Sequence, residues 1–154
     1  MNNNNARLRL REAVDGDAKL LFYWANDDAV RNNSINQQPI LWDDHIDWFN
    51  SKLNDANISM LILENDHVPV GQIRIALQDG CWNINYSIDR NYRGMGYGKQ
   101  IVKLSIEKYP SYSFRAVVKK VNTASKKVFE SLGFKSVYSA DDSLYLYEHY
   151  QDKI

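Results

Sequence analysis

Asn85-Tyr86-Ser87-Ile88-Asp89-Arg90-Asn91-Tyr92-Arg93-Gly94-Met95-Gly96-Tyr97-Gly98-Lys99 joins an alternating strand to a glycine-rich turn that opens directly into a helix. Glycine at every second position of the turn lets the backbone approach a ligand and aim its N–H groups inward, and a helix beginning near Gly98 adds its positive dipole end. The stretch therefore reads as a cradle for pyrophosphate. It is not a Walker loop, because Gly98-Lys99 is followed by Gln100 and leaves no hydroxyl for magnesium. The dinucleotide fingerprint Gly-x-Gly-x-x-Gly does not fit the spacing of Gly94, Gly96 and Gly98 either, and this motif lies past the middle of the chain.

A second block follows downstream, Val121-Asn122-Thr123-Ala124-Ser125-Lys126-Lys127-Val128-Phe129-Glu130-Ser131-Leu132-Gly133-Phe134. Asn122 suits a helix N-cap, Ala124, Val128 and Leu132 recur every four residues, and Gly133-Phe134 suits a left-handed C-cap with a hydrophobic contact. Together the blocks resemble the GNAT superfamily of acyl-CoA-dependent N-acetyltransferases. Its Arg/Gln-x-x-Gly-x-Gly/Ala motif is matched by Arg93, Gly96 and Gly98, and its later Asn-x-x-Ser/Ala, helix and Gly-Phe by the second block. The resemblance implies acetyl-CoA as co-substrate, bound without metal. The residues it assigns to acetyl-CoA are Ile88, Asp89, Arg93, Gly94, Met95, Gly96, Tyr97, Gly98 and Lys99 in the first motif, and Asn122, Ser125 and Lys127 in the second.

The 154 residues fit one domain, taken as 1–154, and the 44% hydrophobic and 25% charged residues are ordinary for a globular protein. No apolar run reaches the length of a membrane span, so a soluble protein is expected. Nineteen basic residues balance nineteen acidic ones, which removes the electrostatic footprint of a nucleic-acid binder. The single cysteine, Cys81, excludes an internal disulfide, and Met1-Asn2-Asn3-Asn4-Asn5 lacks the regions of a signal peptide. A cytoplasmic location is expected, with residues 1–5 a disordered leader.

Along the chain, Arg7 to Arg11 reads as a strand and Asp15 as the cap of a helix through Trp24. Asn26 to Pro39 reads as a long polar loop of the kind that binds ligands. Asp43 to Leu53 is predicted helical, with Ile46, Phe49 and Leu53 facing the core. A hairpin is predicted from Ile58 to Leu77 around Asn65-Asp66-His67, and Trp82, Ile84, Tyr86 and Ile88 alternate as the next strand. A helix from Gln100 is stopped by Pro110, Phe114 to Lys119 is a strand, the second motif's helix follows, and Lys135 to Ser139 with Leu144 to His149 closes a last hairpin. This order is that of the α/β (α+β) GNAT fold. It implies a mixed sheet of about seven strands, an antiparallel meander followed by a splayed parallel pair, flanked by about four helices.

Trp24-x-Asn26-Asp27, Arg31-x-x-Ser34, Ile40, His45-x-x-Trp48-Phe49 and Pro69-Val70-Gly71-Gln72-Ile73-Arg74 are similar to GNAT enzymes that acetylate nucleotide-linked amino-deoxysugars, the pseudaminic acid pathway type. That resemblance assigns Asn26, Arg31, Ser34, His45, Trp48, Gln72 and Arg74 to a small-molecule amine acceptor, a sugar nucleotide, with the enzyme a monomer or homodimer. A guanidinium at Arg31 or Arg74 suits a diphosphate. Ribosomal-protein N-terminal acetyltransferases share the first and last helical elements more loosely, and a binding module that holds acetyl-CoA without turnover is the non-enzymatic alternative. Direct transfer needs a neutral amine and a polarised thioester. His45, Ser87 or Asn85 could hold a water that takes the amine proton. Phe129 stands where many of these enzymes carry a tyrosine acid, which leaves Tyr138, Tyr97 and Tyr86 as substitutes, Tyr138 being taken with His45 and Ser87 as the catalytic set. Cys81 is not read as a nucleophile, because no histidine is close to it in sequence.

Overall fold

The computed structural model describes residues 7–150, so the expected leader lies outside the described residues. In chain order the elements are β1 (Leu8–Glu12), a 3-10 turn (Asp15–Asp17), α1 (Ala18–Ala25), α2 (Asp28–Asn33), α3 (Trp42–Leu53), β2 (Ile58–Asn65), β3 (Val68–Gln78) and β4 (Cys81–Ile88). A second 3-10 turn (Arg90–Tyr92), α4 (Tyr97–Lys108), β5 (Phe114–Lys119), α5 (Thr123–Ser131), β6 (Lys135–Val137) and β7 (Leu144–His149) complete them. One seven-stranded sheet runs β1-β2-β3-β4-β5-β7-β6. Every neighbouring pair is antiparallel except β4 and β5, which run parallel.

The period of two in the strands sorts side chains to two cores. Leu61, Leu63, Ile73, Ile75 and Ile84 face α4 and α5, where Ile101, Val102 and Phe129 complete one cluster. Met60 and Ile62 face the other way and pack with Leu21 and Trp24 of α1 and Phe49 of α3. Both faces of the sheet are therefore covered. The β2–β3 hairpin turns on Asp66 and His67 at φ of 53° and 67°, the left-handed pair a two-residue turn demands. The second motif's helix ends as its sequence implies: Gly133 has φ of 85°, and Phe134 N–H reaches back to the Phe129 carbonyl at 3.0 Å. The Phe129 and Phe134 rings meet 5.0 Å apart, the hydrophobic contact of that cap.

β4 and β5 pair only at Trp82 with Phe114 and Asn83 with Arg115, and then part. Their closed end is held by a ladder of rings, Trp82 on Tyr112 at 4.2 Å and Tyr112 on Tyr109 at 4.6 Å, all nearly parallel.

Two expectations need correction. The segment from Asn26 to Pro39 is not all loop, because Asp28–Asn33 forms α2, which raises the helices from four to five. Its composition shows no apolar period. The helix exists because Asp27 caps it, accepting from the N–H groups of Ala29 and Val30. The helix expected to run unbroken from Asp15 begins instead as a 3-10 turn, where the Asp17 carboxylate takes two hydrogen bonds from Arg11 and one from Val14 N–H.

Gly71 permits the closest strand approach near the parting. A Cβ there would lie 2.7 Å from Ile88 Cδ1 and 2.8 Å from the Ser87 carbonyl oxygen. Because the second neighbour is backbone, Gly71→Ala is expected to cost about 1–3 kcal/mol and lower Tm by about 3–10 °C. Calorimetry checks this, and an unchanged Tm would show that β4 shifts freely.

Candidate active site

A cavity of about 840 Å³ passes from the glycine turn, through the gap between β4 and β5, to the face covered by α1 and α3. Past Asn83, β4 has no strand partner on its β5 side, so backbone groups there are free to bond an extended ligand arm. At one end of the cavity α4 begins after Gly96, which caps it at φ 85° with no side chain bonded to the first turn. Those first N–H groups remain available to an anion, aided by the dipole. Gly94, also left-handed at φ 77°, Gly98 and Lys99 line the same end. Backbone donors, an uncapped helix start and an open sheet edge are what a pyrophosphate and its pantetheine arm require, so the residues present fit acetyl-CoA.

Of the residues assigned to the cofactor, Ile88, Arg93, Gly94, Gly96, Tyr97, Gly98, Lys99, Asn122 and Ser125 line the cavity. Three do not. Asp89 is a structural carboxylate: one oxygen accepts from Trp24 Nε1 at 2.8 Å and the other from Asn91 N–H at 2.8 Å. The Met95 side chain is 64% exposed, and Lys127 lies on the solvent face of α5. Arg93 is shared: its Nη2 pairs with Asp27 at 2.7 Å and its Nε donates to the Ile88 carbonyl, which ties the glycine turn to the start of α2. Asn122 accepts from Ser125 N–H and thereby starts α5.

The acceptor set divides in the same way. Trp48, Gln72, Arg74, His45, Arg31 and Ser34 line the cavity beyond the sheet, and Asn26 does not. The Asn26 side-chain amide both donates to and accepts from Ile40, pinning the two ends of the α2 segment. Arg31, expected to meet a diphosphate, is spent on its own loop. Its Nε donates to the Ala25 carbonyl at 2.7 Å, Nη1 to those of Asn36 and Gln38, and Nη2 to Ser34 Oγ. Ser34 in turn donates to the Val30 carbonyl at 2.6 Å.

Arg74 differs from Arg31. Its guanidinium lies 5.0 Å over the Trp48 ring, and among the described residues it has no carboxylate or hydrogen-bond partner. Burial presses its pKa below the ordinary arginine value, although arginine keeps its charge. Beside it Gln72 Nε2 donates to Ser87 Oγ at 3.1 Å, so Ser87 faces this half of the cavity.

His45 is 3% exposed, and its Nε2 lies 2.9 Å from the Ala18 carbonyl. A carbonyl only accepts, so Nε2 carries the hydrogen and bolts α3 to α1, and it is not the nitrogen that takes a proton from a substrate. Tyr138, chosen as the acid, is 88% exposed beyond β6 and lines no part of the cavity. Tyr86 lines it instead. Sequence reasoning also passed over Lys119, whose Nζ donates to the Asn32 carbonyl at 3.0 Å across the cavity, and the apolar wall of Ile84, Val117 and Val128. Alternation along β5, which puts Val117 and Lys119 on one face, was the signal available for those two.

Burial lowers the His45 pKa, outweighing the hydrogen bond to Ala18 that would raise it. The unfolded chain then binds a proton at about pH 6.5 that the folded chain refuses, so stability is present above that pH and is lost as pH falls through it. His45→Gln is expected to lose less stability than the parent between pH 7 and pH 5, measured by denaturant unfolding at each pH; equal losses would place the acid sensitivity elsewhere.

The family model for the acetyltransferase (GNAT) domain matches residues 7–135. An uncharacterised protein of Methanocaldococcus jannaschii is 24% identical over 151 residues, which cover 94% of this chain and 31% of that protein. The chain thus spans about a third of the length of the curated relative it matches. A solved domain from Methanocaldococcus jannaschii has a TM-score of 0.79 at 25% identity, covering 92% of this chain and 97% of that one. A ribosomal L7/L12 α-N-protein acetyltransferase in complex with coenzyme A has a TM-score of 0.82 at 15% identity, covering 95% of each chain. Reaching across most of its length, the domain match makes this chain a member of the GNAT acetyltransferase domain family.

Proposed function

We propose that the protein transfers acetyl from acetyl-CoA to the amino group of an acceptor that also carries an anion, a nucleotide-linked amino-deoxysugar. The observation that carries this reading is Arg74. Arg74 is half-buried, its guanidinium opens on the cavity without a hydrogen-bond partner among the described residues, and an anionic ligand group there would complete its donors. Trp48 lies under it as a cation–π partner at 5.0 Å.

The chain's own residues divide the work. Backbone N–H groups of the glycine turn and the first turn of α4 hold the pyrophosphate, and the unpaired edge of β4 beyond Asn83 aligns and polarises the thioester, which supplies the acetyl group when bound. Ser87 and Asn85 on the opposite face of β4 position the amine. No strong base is required of them: an amine with pKa near ~8 is neutral about a tenth of the time at pH 7, whereas one near ~10.4 is almost wholly protonated. Water in the cavity takes the proton.

Arg74→Gln is expected to raise the acceptor KM about 10- to 100-fold and to leave the acetyl-CoA KM nearly unchanged, since a hydrogen-bonded charge is lost from the acceptor side alone. Steady-state kinetics with amino-sugar nucleotides and with peptide α-amines checks both the effect and the acceptor. Turnover confined to peptides would transfer the reading to a protein N-terminal acetyltransferase.

Gly96→Val, which forces a branched residue to φ 85°, is expected to weaken coenzyme A binding at least about tenfold by calorimetry. Unchanged affinity would remove the turn from the cofactor site.

A further inference from the structure

Beyond the sheet, the polar groups left to a ligand stand in a fixed order. Among the described residues Asp44 is the single carboxylate that lines the cavity, against the cations Arg31, Arg74, Arg93, Lys99 and Lys119. Three of those cations are engaged: Arg31 by its own loop, Arg93 by Asp27 and Lys119 by the Asn32 carbonyl. Lys99 lies at the glycine turn, so Arg74 and Asp44 are the charges that remain on the far side. They line one cavity without pairing, and neither makes an ion pair among the described residues. An exposed carboxylate in the first turn of a helix ordinarily serves the helix dipole, a role that Asp43 fills equally, but Asp43 does not line the cavity. Asp44 and Trp48 are one turn apart on α3 and share a face. The Arg74 guanidinium lies 5.0 Å over the Trp48 ring, and across β3 and β4 Arg74 stands opposite Asn85 and Gln72 opposite Ser87. From the exposed rim inward, the order is therefore carboxylate, guanidinium on indole, then amide and hydroxyl beside the gap.

We propose that Asp44 is the subsite for a ribose diol, and that with Arg74 it selects an acceptor built on a nucleoside diphosphate. Asp44 takes this role given a nucleotide-linked acceptor whose anion meets Arg74, the reading proposed above. An ionised carboxylate only accepts, through two oxygens, and a vicinal diol presents two O–H donors side by side. Ribose carries such a diol, and in a sugar nucleotide the ribose, the diphosphate and the sugar follow one another along one chain. Laid from rim to gap, they meet Asp44, Arg74 and the Asn85 to Ser87 edge of β4 in the same order. The group at Asp44 is not the reacting amine, because a carboxylate beside that amine would hold it as ammonium, the unreactive form. A second ammonium on the acceptor is disfavoured by the five cations that line the cavity. Neutral hydroxyls carry neither penalty.

The test uses the full chain saturated with coenzyme A, so that the glycine turn is filled, and measures by calorimetry the binding of UDP and GDP and of their 2′,3′-dideoxy counterparts. The parent is expected to bind at least one of the two diphosphates, and loss of its diol to weaken binding about 5- to 20-fold, less than a buried charged hydrogen bond would give because Asp44 is exposed. Asp44→Ala is expected to weaken the ribose form by the same factor and to make the ribose and dideoxy forms bind alike, the coupling that a shared contact produces. The coenzyme A affinity of each variant reports that it is folded. If Arg74→Gln weakens the diphosphates while Asp44→Ala and the dideoxy forms do not, the diol subsite is overturned and the anion reading of Arg74 stands. If neither diphosphate binds, or Arg74→Gln leaves their affinity unchanged, the anion reading falls and the diol subsite with it. A larger loss of spermidine than of UDP or GDP in Asp44→Ala would make the carboxylate a cation site and overturn the proposal.

Discussion

The parting of β4 from β5 after two paired residues is the constraint on which the rest of the molecule depends. A sheet does not open without cost, because each unpaired N–H or C=O in a dry interior forfeits a hydrogen bond. Here the cost is contained at both ends. The ring ladder of Trp82, Tyr112 and Tyr109 clamps the closed end, and Gly71 lets β3 press against the last residues of β4 from the other side. The opening is thus a wedge of fixed shape, with rigid walls and unsatisfied backbone along one of them, which suits an extended arm ending in a thioester.

The half of the cavity bordered by α2 is built by different means. α2 has only six residues and no buried side chain, too short to be stable on propensity or packing. It is held by polar attachments: Asp27 to Arg93 on the glycine turn, Asn32 to Lys119 at the end of β5, and Arg31 knitting together four partners within the segment. An exposed ion pair such as Arg93–Asp27 contributes about 0–1 kcal/mol. The wall at the glycine turn is set by glycine geometry and sheet registry, and the wall at α2 by many individually weak hydrogen bonds.

The sequence displays the first kind of construction better than the second. The strands themselves, the β2–β3 turn, the capped helix ending at Gly133-Phe134 and the glycine turn before α4 were legible because each rests on local pattern: period two, period near four, or a cluster of turn-forming residues. α2 was illegible because its cap and its arginine act through backbone carbonyls, which every residue possesses and no pattern marks. For the same reason Asn26 and Arg31 read as ligand residues when they are fasteners. Tyr138 was misplaced because β6 has only three residues and leaves the chain at a sheet edge, whereas Tyr86 sits where strand alternation put it. Arg74 and Trp48 were both legible, but their cation–π contact is a tertiary fact.

One property of β4 reaches beyond this site. Asn85 and Ser87 look toward Arg74 and Gln72, while Tyr86 between them looks toward Ser125 and Phe129. Adjacent residues, with Cα atoms about 3.8 Å apart, therefore belong to separate compartments joined only through the gap. Substitutions at odd positions of this strand alter the wall shared with β3 and those at even positions the wall shared with α5, so the two walls can drift independently along one short run of chain. Only an insertion or deletion, which reverses the parity of every following side chain, couples them.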